Sequence, residues 1–352
     1  MRLRLSTVSY LAYALPALLA TALLPKLGYV FSEEGSFAIF ASIAAGCLGL
    51  LSAGLIVGRT RRLDLPRWNR TDHSLSIFLM LAGLAAIAAN FAIVGQIPLI
   101  SSGSGRIELQ ETYLWNVYVI GSLGLLMYSR VTIGQRHGRF GKFLVSTYII
   151  SAIMTAWKGT FILFLVAYLC PRLRHQSVRF DHLIVGATSG FFLLVLINLL
   201  RAEASLTEVL AQPVYYLTWG FVNFDTEAIG HSSSCLYTVP LLGCQFAVDN
   251  RYLLNSTWNV LTALSPIYID GGIVYIFIFF FFIGALVRVT ENLRSSLLID
   301  YLYFVSCYFL LLAHNGYAFY SRSFFLAAGV IILLNALRAA SSGARELKRG
   351  AL

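Results

Sequence analysis

Apolar runs of about twenty residues, each enough to cross a bilayer as a helix, alternate with short polar segments along most of the chain. Runs near 6–24, 37–57, 74–95, 113–129, 182–200, 271–288, 297–313 and 323–338 predict one helix each. The run at 143–170, FLVSTYIISAIMTAWKGTFILFLVAYLC, is interrupted by Trp157, Lys158 and Gly159. It reads as one long helix, two short ones or a re-entrant hairpin. One stretch breaks the alternation: Arg201 to Asp270 mixes aromatics, amides, acids, two cysteines and two arginines between two apolar runs. A polar connection that long is where a membrane protein houses a site.

Composition agrees, with 58% hydrophobic and 12% charged residues over 352 positions. Soluble domains carry about a quarter charged residues, so the pattern is that of an all-α polytopic membrane protein. The formal net charge is +10, but Lys and Arg fall in short clusters between apolar runs. That is an orientation signal and excludes a nucleic-acid partner. The N-terminal stretch MRLRLSTVSYLAYALPALLATALL has the charged start and apolar core of a signal peptide, yet its length makes it an uncleaved first helix.

Charge bias also resolves part of the 143–170 ambiguity. If that run crosses twice or re-enters, twenty of the 26 Lys and Arg face the cytoplasm; a single crossing would move nine of them outside. The expectation is therefore about ten membrane segments in one bundle over 1–352, both termini cytoplasmic, with 201–270 as a large outer loop. Six basic residues are left outside: Lys26, Arg106, Lys158, Arg201, Arg251 and Arg322. Lys26, beside Glu33 and Glu34, reads as an ordinary ion-pair partner or interfacial anchor. The four arginines stand at helix ends, where they serve either as interfacial anchors or as a convergent anion site, since a guanidinium suits bidentate phosphate recognition.

Other candidates lie in the same outer segments. GQIPLISSGSGR offers backbone donors and Arg106 for a phosphate. In FVNFDTEAIGH, the acids Asp225 and Glu227 and the imidazole of His231 are close in sequence, and any of them suits a general base or a solvated loop charge. Asp270 opens an apolar helix in SPIYIDGGIVYIF, where a carboxylate is favoured as a cap or serves as a catalytic group. His314 lies in AHNGYAFYSR beside Arg322, as a ligand group or an anchor. Cys235 and Cys244 share the outer loop and predict a disulfide, whereas Cys47, Cys170 and Cys307 lie in apolar runs. No metal-ligand spacing, Walker loop or nucleophile elbow occurs in the sequence.

GQIPLISSGSGR, TWGFVNFD and above all WNVLTALSPIYIDGGIVYIFIFFFFIGAL make the chain resemble the oligosaccharide repeat unit polymerases of the Wzy type, including O-antigen polymerases. The resemblance implies a fold similar to the C-superfamily lipid-linked glycosyltransferases. It also implies an inner-membrane enzyme that moves a growing glycan from undecaprenyl pyrophosphate onto the next lipid-linked repeat unit, at the periplasmic face and without metal or other cofactor. Its implied partners are the lipid-linked donor and acceptor oligosaccharides, membrane lipids and a chain-length regulator protein. The residues suit that chemistry: Arg106, Arg201, Arg251, Arg322 and Lys158 for the pyrophosphate, carboxylates for the acceptor hydroxyl, and Trp219, Tyr268 and His314 for substrate contacts. An O-antigen ligase shares the donor and differs in the acceptor. A lipid-linked oligosaccharide flippase would instead call for paired repeats and charges at the bilayer midplane, and this sequence places few there.

Overall fold

The computed structural model describes residues 2–57, 70–99, 108–109, 112–133, 138–155, 158–174, 177–179, 217–230, 237, 262–293, 295–314 and 324–336, with 181, 185, 188 and 192 singly. Strand β1 (Arg2–Arg4) leads into α1 (Leu5–Leu23), a 3-10 turn (Leu24–Leu27) and α2 (Glu33–Val57). Helices α3 (Arg70–Val94), α4 (Tyr113–Val131), α5 (Arg139–Met154) and α6 (Lys158–Leu173) follow, then strand β2 (Ser177–Arg179). A helical stretch over 217–223 ends in a π-helical turn (Phe224–Ala228), and α7 (Leu264–Asn292), α8 (Leu297–Leu312) and α9 (Phe324–Ala336) complete the described chain. Four helices, Leu5–Lys26, Glu33–Val57, Thr71–Val94 and Leu264–Asn292, are long and apolar enough to cross a membrane. The protein is an all-α polytopic membrane protein apart from one short feature, the antiparallel pairing of β1 with β2. Three-residue strands carry no periodicity that a sequence pattern could reveal. The span expected near 182–200 lies almost wholly outside the described residues.

Lipid is as apolar as Leu, so helices in a bilayer associate through close packing at small residues. The α2–α7 contact works this way. A Cβ on Gly49 would stand 2.1 Å from the Phe281 carbonyl, and one on Gly284 would stand 2.3 Å from the Gly46 carbonyl. Between α3 and α4, Gly83 and Gly121 admit the Tyr148 hydroxyl of α5, which a Cβ on either would approach to 1.8 Å. Pro16 is buried within α1, which membrane helices tolerate because neighbours satisfy the freed carbonyl. Tyr13 of α1 stacks on Phe280 at 4.8 Å between centroids and lies 6.3 Å from Phe221 of the 217–223 stretch.

One end of the bundle is held by buried ion pairs. Arg174, just after α6, bonds to Asp300 of α8 and to the Thr290 and Leu293 carbonyls at the end of α7. Arg130 of α4 reaches the other Asp300 oxygen at 2.9 Å, and Ser295 donates to that oxygen at 2.7 Å. Glu291 pairs with Arg288 at 2.6 Å and Arg4 at 3.2 Å, and it accepts from Ser6 at 3.0 Å. The start of α1, the ends of α4, α6 and α7 and the start of α8 therefore meet at this basic end. The opposite end carries the loops: the Leu99 amide donates to the Met154 carbonyl at the end of α5, and Tyr308 donates to the Gly159 carbonyl at the start of α6.

The run at 143–170 is thus two helices of 16 residues each, running from the basic end to the loop end and back. At 1.5 Å per residue each is about 24 Å long, somewhat less than a hydrocarbon core. Lys158 begins the returning helix, at the loop end.

Candidate active site

The loop end gathers four carboxylates from three parts of the chain. The first is built on the entry to α2. Gly28, at φ 90°, closes the 3-10 turn and lets the chain reverse; residues 29–32 then run to Ser32, whose Oγ accepts the Gly35 amide at 2.9 Å. Ser32 is therefore the helix N-cap, and Glu33 and Glu34 occupy the first turn where the helix dipole favours acids. The same Ser32 holds Asp225: its amide donates to Oδ2 at 3.0 Å and its hydroxyl to Oδ1. Tyr29 donates to Oδ2 at 2.8 Å. Burial first, and then the Asp225 carboxylate, push the Tyr29 phenol up, so it remains a donor. Gly35 makes this docking feasible, because a Cβ there would stand 1.8 Å from Asp225 Oδ1.

Asp225 reaches this position through the π-helical turn Phe224–Ala228, which inserts an extra residue per turn and is a form often met at functional sites. In the same turn, half-buried Glu227 makes no hydrogen bond or ion pair among the described residues. Trp219 is half-buried one turn earlier, packed against the core. Phe224 meets Tyr268 of α7 edge-on at 5.7 Å, and the Tyr268 hydroxyl donates to Glu34 at 2.5 Å. Two residues on, Asp270 accepts the Tyr237 amide at 2.7 Å.

Asp270 does not open its helix as the sequence suggested. Helix α7 begins at Leu264, with Pro266 in the first turn, where a missing N–H leaves no carbonyl unsatisfied. Asp270 instead precedes a break at Gly271 and Gly272, the latter at φ 65°, ψ −158°. The Gly pair thus separates a short helical segment, 264–270, from the long apolar helix that the sequence places after it, and the short segment carries Tyr268 to Glu34 and Asp270 to residue 237.

On the far side of this end, the Ala263 amide donates to the Ala313 carbonyl at 2.8 Å, joining the start of α7 to the residue before His314. His314 Nδ1 is sealed from solvent with no hydrogen-bond partner among the described residues. Burial lowers its pKa to about 4, so the ring is neutral at physiological pH. Hydrogen bonds thus tie Asp225 to Ser32 and Tyr268 to Glu34, and Asp270 follows Tyr268 by two residues.

Of the residues singled out in the sequence, the structure brings together Asp225, Glu227, Tyr268 and Asp270. Trp219 and His314 lie on the elements that flank them. Arg106, Arg201, His231, Cys235, Cys244, Arg251 and Arg322 lie outside the described residues, as does the side chain of Lys158. Lys26 is exposed and makes no ion pair with Glu33 or Glu34 among the described residues, and Glu34 is engaged by Tyr268, so of its two expected roles the ion pair is not formed. Tyr29, Ser32, Glu34 and Gly35 were not anticipated. The Ser-Glu-Glu-Gly sequence was a readable capping signal; nothing local marks Tyr29 as a carboxylate partner.

Residues 10–219 match the family described as "Putative O-antigen polymerase". No curated protein and no solved structure matches the chain.

Proposed function

Because the chain belongs to the O-antigen polymerase family, we propose that it transfers a growing glycan from undecaprenyl pyrophosphate to the next lipid-linked repeat unit, at the loop end of the bundle facing the periplasm. The observation that supports this reading is the placing of Asp225, Glu34 and Asp270 at the end opposite the basic cluster, with Glu227, which makes no hydrogen bond or ion pair among the described residues, in the same turn as Asp225.

In the reaction, the acceptor hydroxyl oxygen attacks the anomeric carbon of the donor glycan. The bond from that carbon to the pyrophosphate oxygen breaks, the lipid pyrophosphate leaves with the electron pair, and the hydroxyl proton passes to a carboxylate. A base needs an oxygen directed at the acceptor. Asp225 has both oxygens occupied by Tyr29 and Ser32, so its role is to pin the π-turn onto α2. Glu227 in that turn has neither oxygen engaged among the described residues, and we assign it the base. Asp270 orients the segment at Tyr237 and is the second candidate. Arg106, Arg201, Arg251, Arg322 and Lys158, the basic residues that the sequence assigns to the outer side, are the candidates for the cations that a developing pyrophosphate charge requires in a water-poor site. Trp219 and Tyr268 offer ring faces to sugars. No metal is needed, since the donor is already activated and arginine takes the place of a divalent cation.

The test is reconstitution with purified lipid-linked repeat units. Wild type is expected to produce a glycan ladder, and transfer only to a lipid A core acceptor would make the protein a ligase instead. Glu227→Gln is expected to lower chain extension by about two or more orders of magnitude at unchanged expression. Normal ladders from Glu227→Gln together with loss in Asp270→Asn would move the base to Asp270.

A further inference from the structure

A groove of about 500 Å³ opens on the outside of the bundle between the C-terminal half of α1 and the start of α2, lined by Leu18, Ala22, Pro25, Val30, Phe31 and Phe40. Exposed apolar surface is ordinary on a membrane helix. Two features here are not. The rim of the groove is the turn between Pro25 and Val30, and it carries Lys26, exposed and without a hydrogen bond or ion pair among the described residues. The wall of the groove is the same short segment that holds the carboxylate site. Along it, Val30 and Phe31 face the groove, while Tyr29 and Ser32 face Asp225.

We propose that this groove seats the polyisoprenyl chain of the acceptor lipid, with its pyrophosphate at Lys26 and its first sugars carried over the Tyr29–Ser32 wall toward Glu227. This rests on the polymerase reading above. The acceptor, rather than the donor, fits on chemical grounds. The donor pyrophosphate is the leaving group and gathers charge in the transition state, which calls for several fixed cations. The acceptor pyrophosphate stays intact and unchanged through the transfer, so it requires docking only, and one solvated cation suits that. The acceptor hydroxyl must also be the group nearest the base. A lipid anchored at Lys26 delivers its sugar to the π-turn across a wall four residues wide, with no need to leave the membrane.

The experiment uses the full-length protein in nanodiscs of phosphatidylethanolamine and phosphatidylglycerol. The probe is a polyprenyl-pyrophosphate-linked repeat unit carrying a diazirine on its isoprenoid chain, and crosslinks are mapped by mass spectrometry. Labelling is expected within residues 18–40 and should be competed by unlabelled lipid-linked repeat unit but not by added phosphatidylglycerol. Val30→Trp fills the groove without loss of packing, since Val30 is 78% exposed; it and Lys26→Glu are expected to raise the KM for acceptor lipid about tenfold with donor KM unchanged, a loss of uniform binding. Lys26→Arg should retain wild-type KM. Leu55→Trp, on an 85% exposed position far along α2, is the control and should change neither constant. A shift in donor KM alone, no shift in either, or competition by phosphatidylglycerol equal to that by the repeat unit overturns the proposal. Crosslinking does not depend on turnover, so mapped labelling without any glycan extension would sink the polymerase reading and leave the groove assignment standing.

Discussion

At the scale of single residues, the site depends on a side chain that is missing. Gly35 leaves room for Asp225 to lie over the first turn of α2, where three donors from Tyr29 and Ser32 meet it. In Gly35→Ala the new methyl group would occupy the position of the carboxylate oxygen, and backbone on a helix has no freedom to yield. Asp225 must then leave its donors. Gly35→Ala is expected to lower stability by about 1–3 kcal/mol and to abolish long glycan chains, with Asp225→Asn giving a milder form of both. Thermal unfolding in detergent and glycan ladders read the two effects; a Gly35→Ala protein with normal ladders would show that Asp225 has no part in placing the π-turn. Asp225 and Asp270 were legible as candidates because acids are rare in this chain and these two interrupt aromatic, apolar segments. Their partners were not, because Tyr29 and Asp225 are 196 positions apart, and no local pattern encodes a contact at that separation.

At the scale of elements, apolar content located most of the helices, including the long one after Gly271 and Gly272, but not the short helical segment before that pair. Residues 264–270 looked like the end of a loop. In the structure they are helical, broken from the long helix at the Gly pair, and they bring Tyr268 to Glu34 and Asp270 to residue 237. Gly272 holds a backbone conformation open in practice to glycine alone. Gly272→Ala is expected to cost about 1–3 kcal/mol and to release Tyr268 from Glu34, shortening glycan chains even though residue 272 touches no candidate catalytic group. Gly329→Ala, at a helical position with open space around the added methyl, is the control and should leave both unfolding temperature and ladder unchanged. Equal behaviour of the two variants would mean that the break is not needed for the site.

At the scale of the whole molecule, the two ends of the bundle have opposite tasks. The basic end is fixed by buried ion pairs around Asp300 and Glu291, each 2% exposed, that clamp five helix termini. Asp300→Asn leaves the fully buried Arg174 without a counter-charge and is expected to cost about 3–5 kcal/mol, whereas the double change Asp300→Leu, Arg174→Met should recover much of it; unfolding temperature in detergent tells them apart. At the loop end, Asp225 and Glu34 are held instead by hydroxyls and a backbone amide. The charge bias along the chain gives the expectation that the basic end faces the cytoplasm. Twenty Lys and Arg belong on the cytoplasmic side only if 143–170 crosses twice, and α5 and α6 do run out and back, placing Arg174 at the basic end and the start of α6 at the other. In a protein whose five cysteines are replaced by Ser, a thiol at Lys158→Cys is therefore expected to react with a membrane-impermeant maleimide added to intact periplasm-accessible cells, and one at Arg179→Cys only after the inner membrane is opened. Labelling of residue 158 from the cytoplasmic side alone would invert the whole bundle and place the carboxylates of Asp225, Glu227 and Asp270 where no periplasmic glycan could reach them.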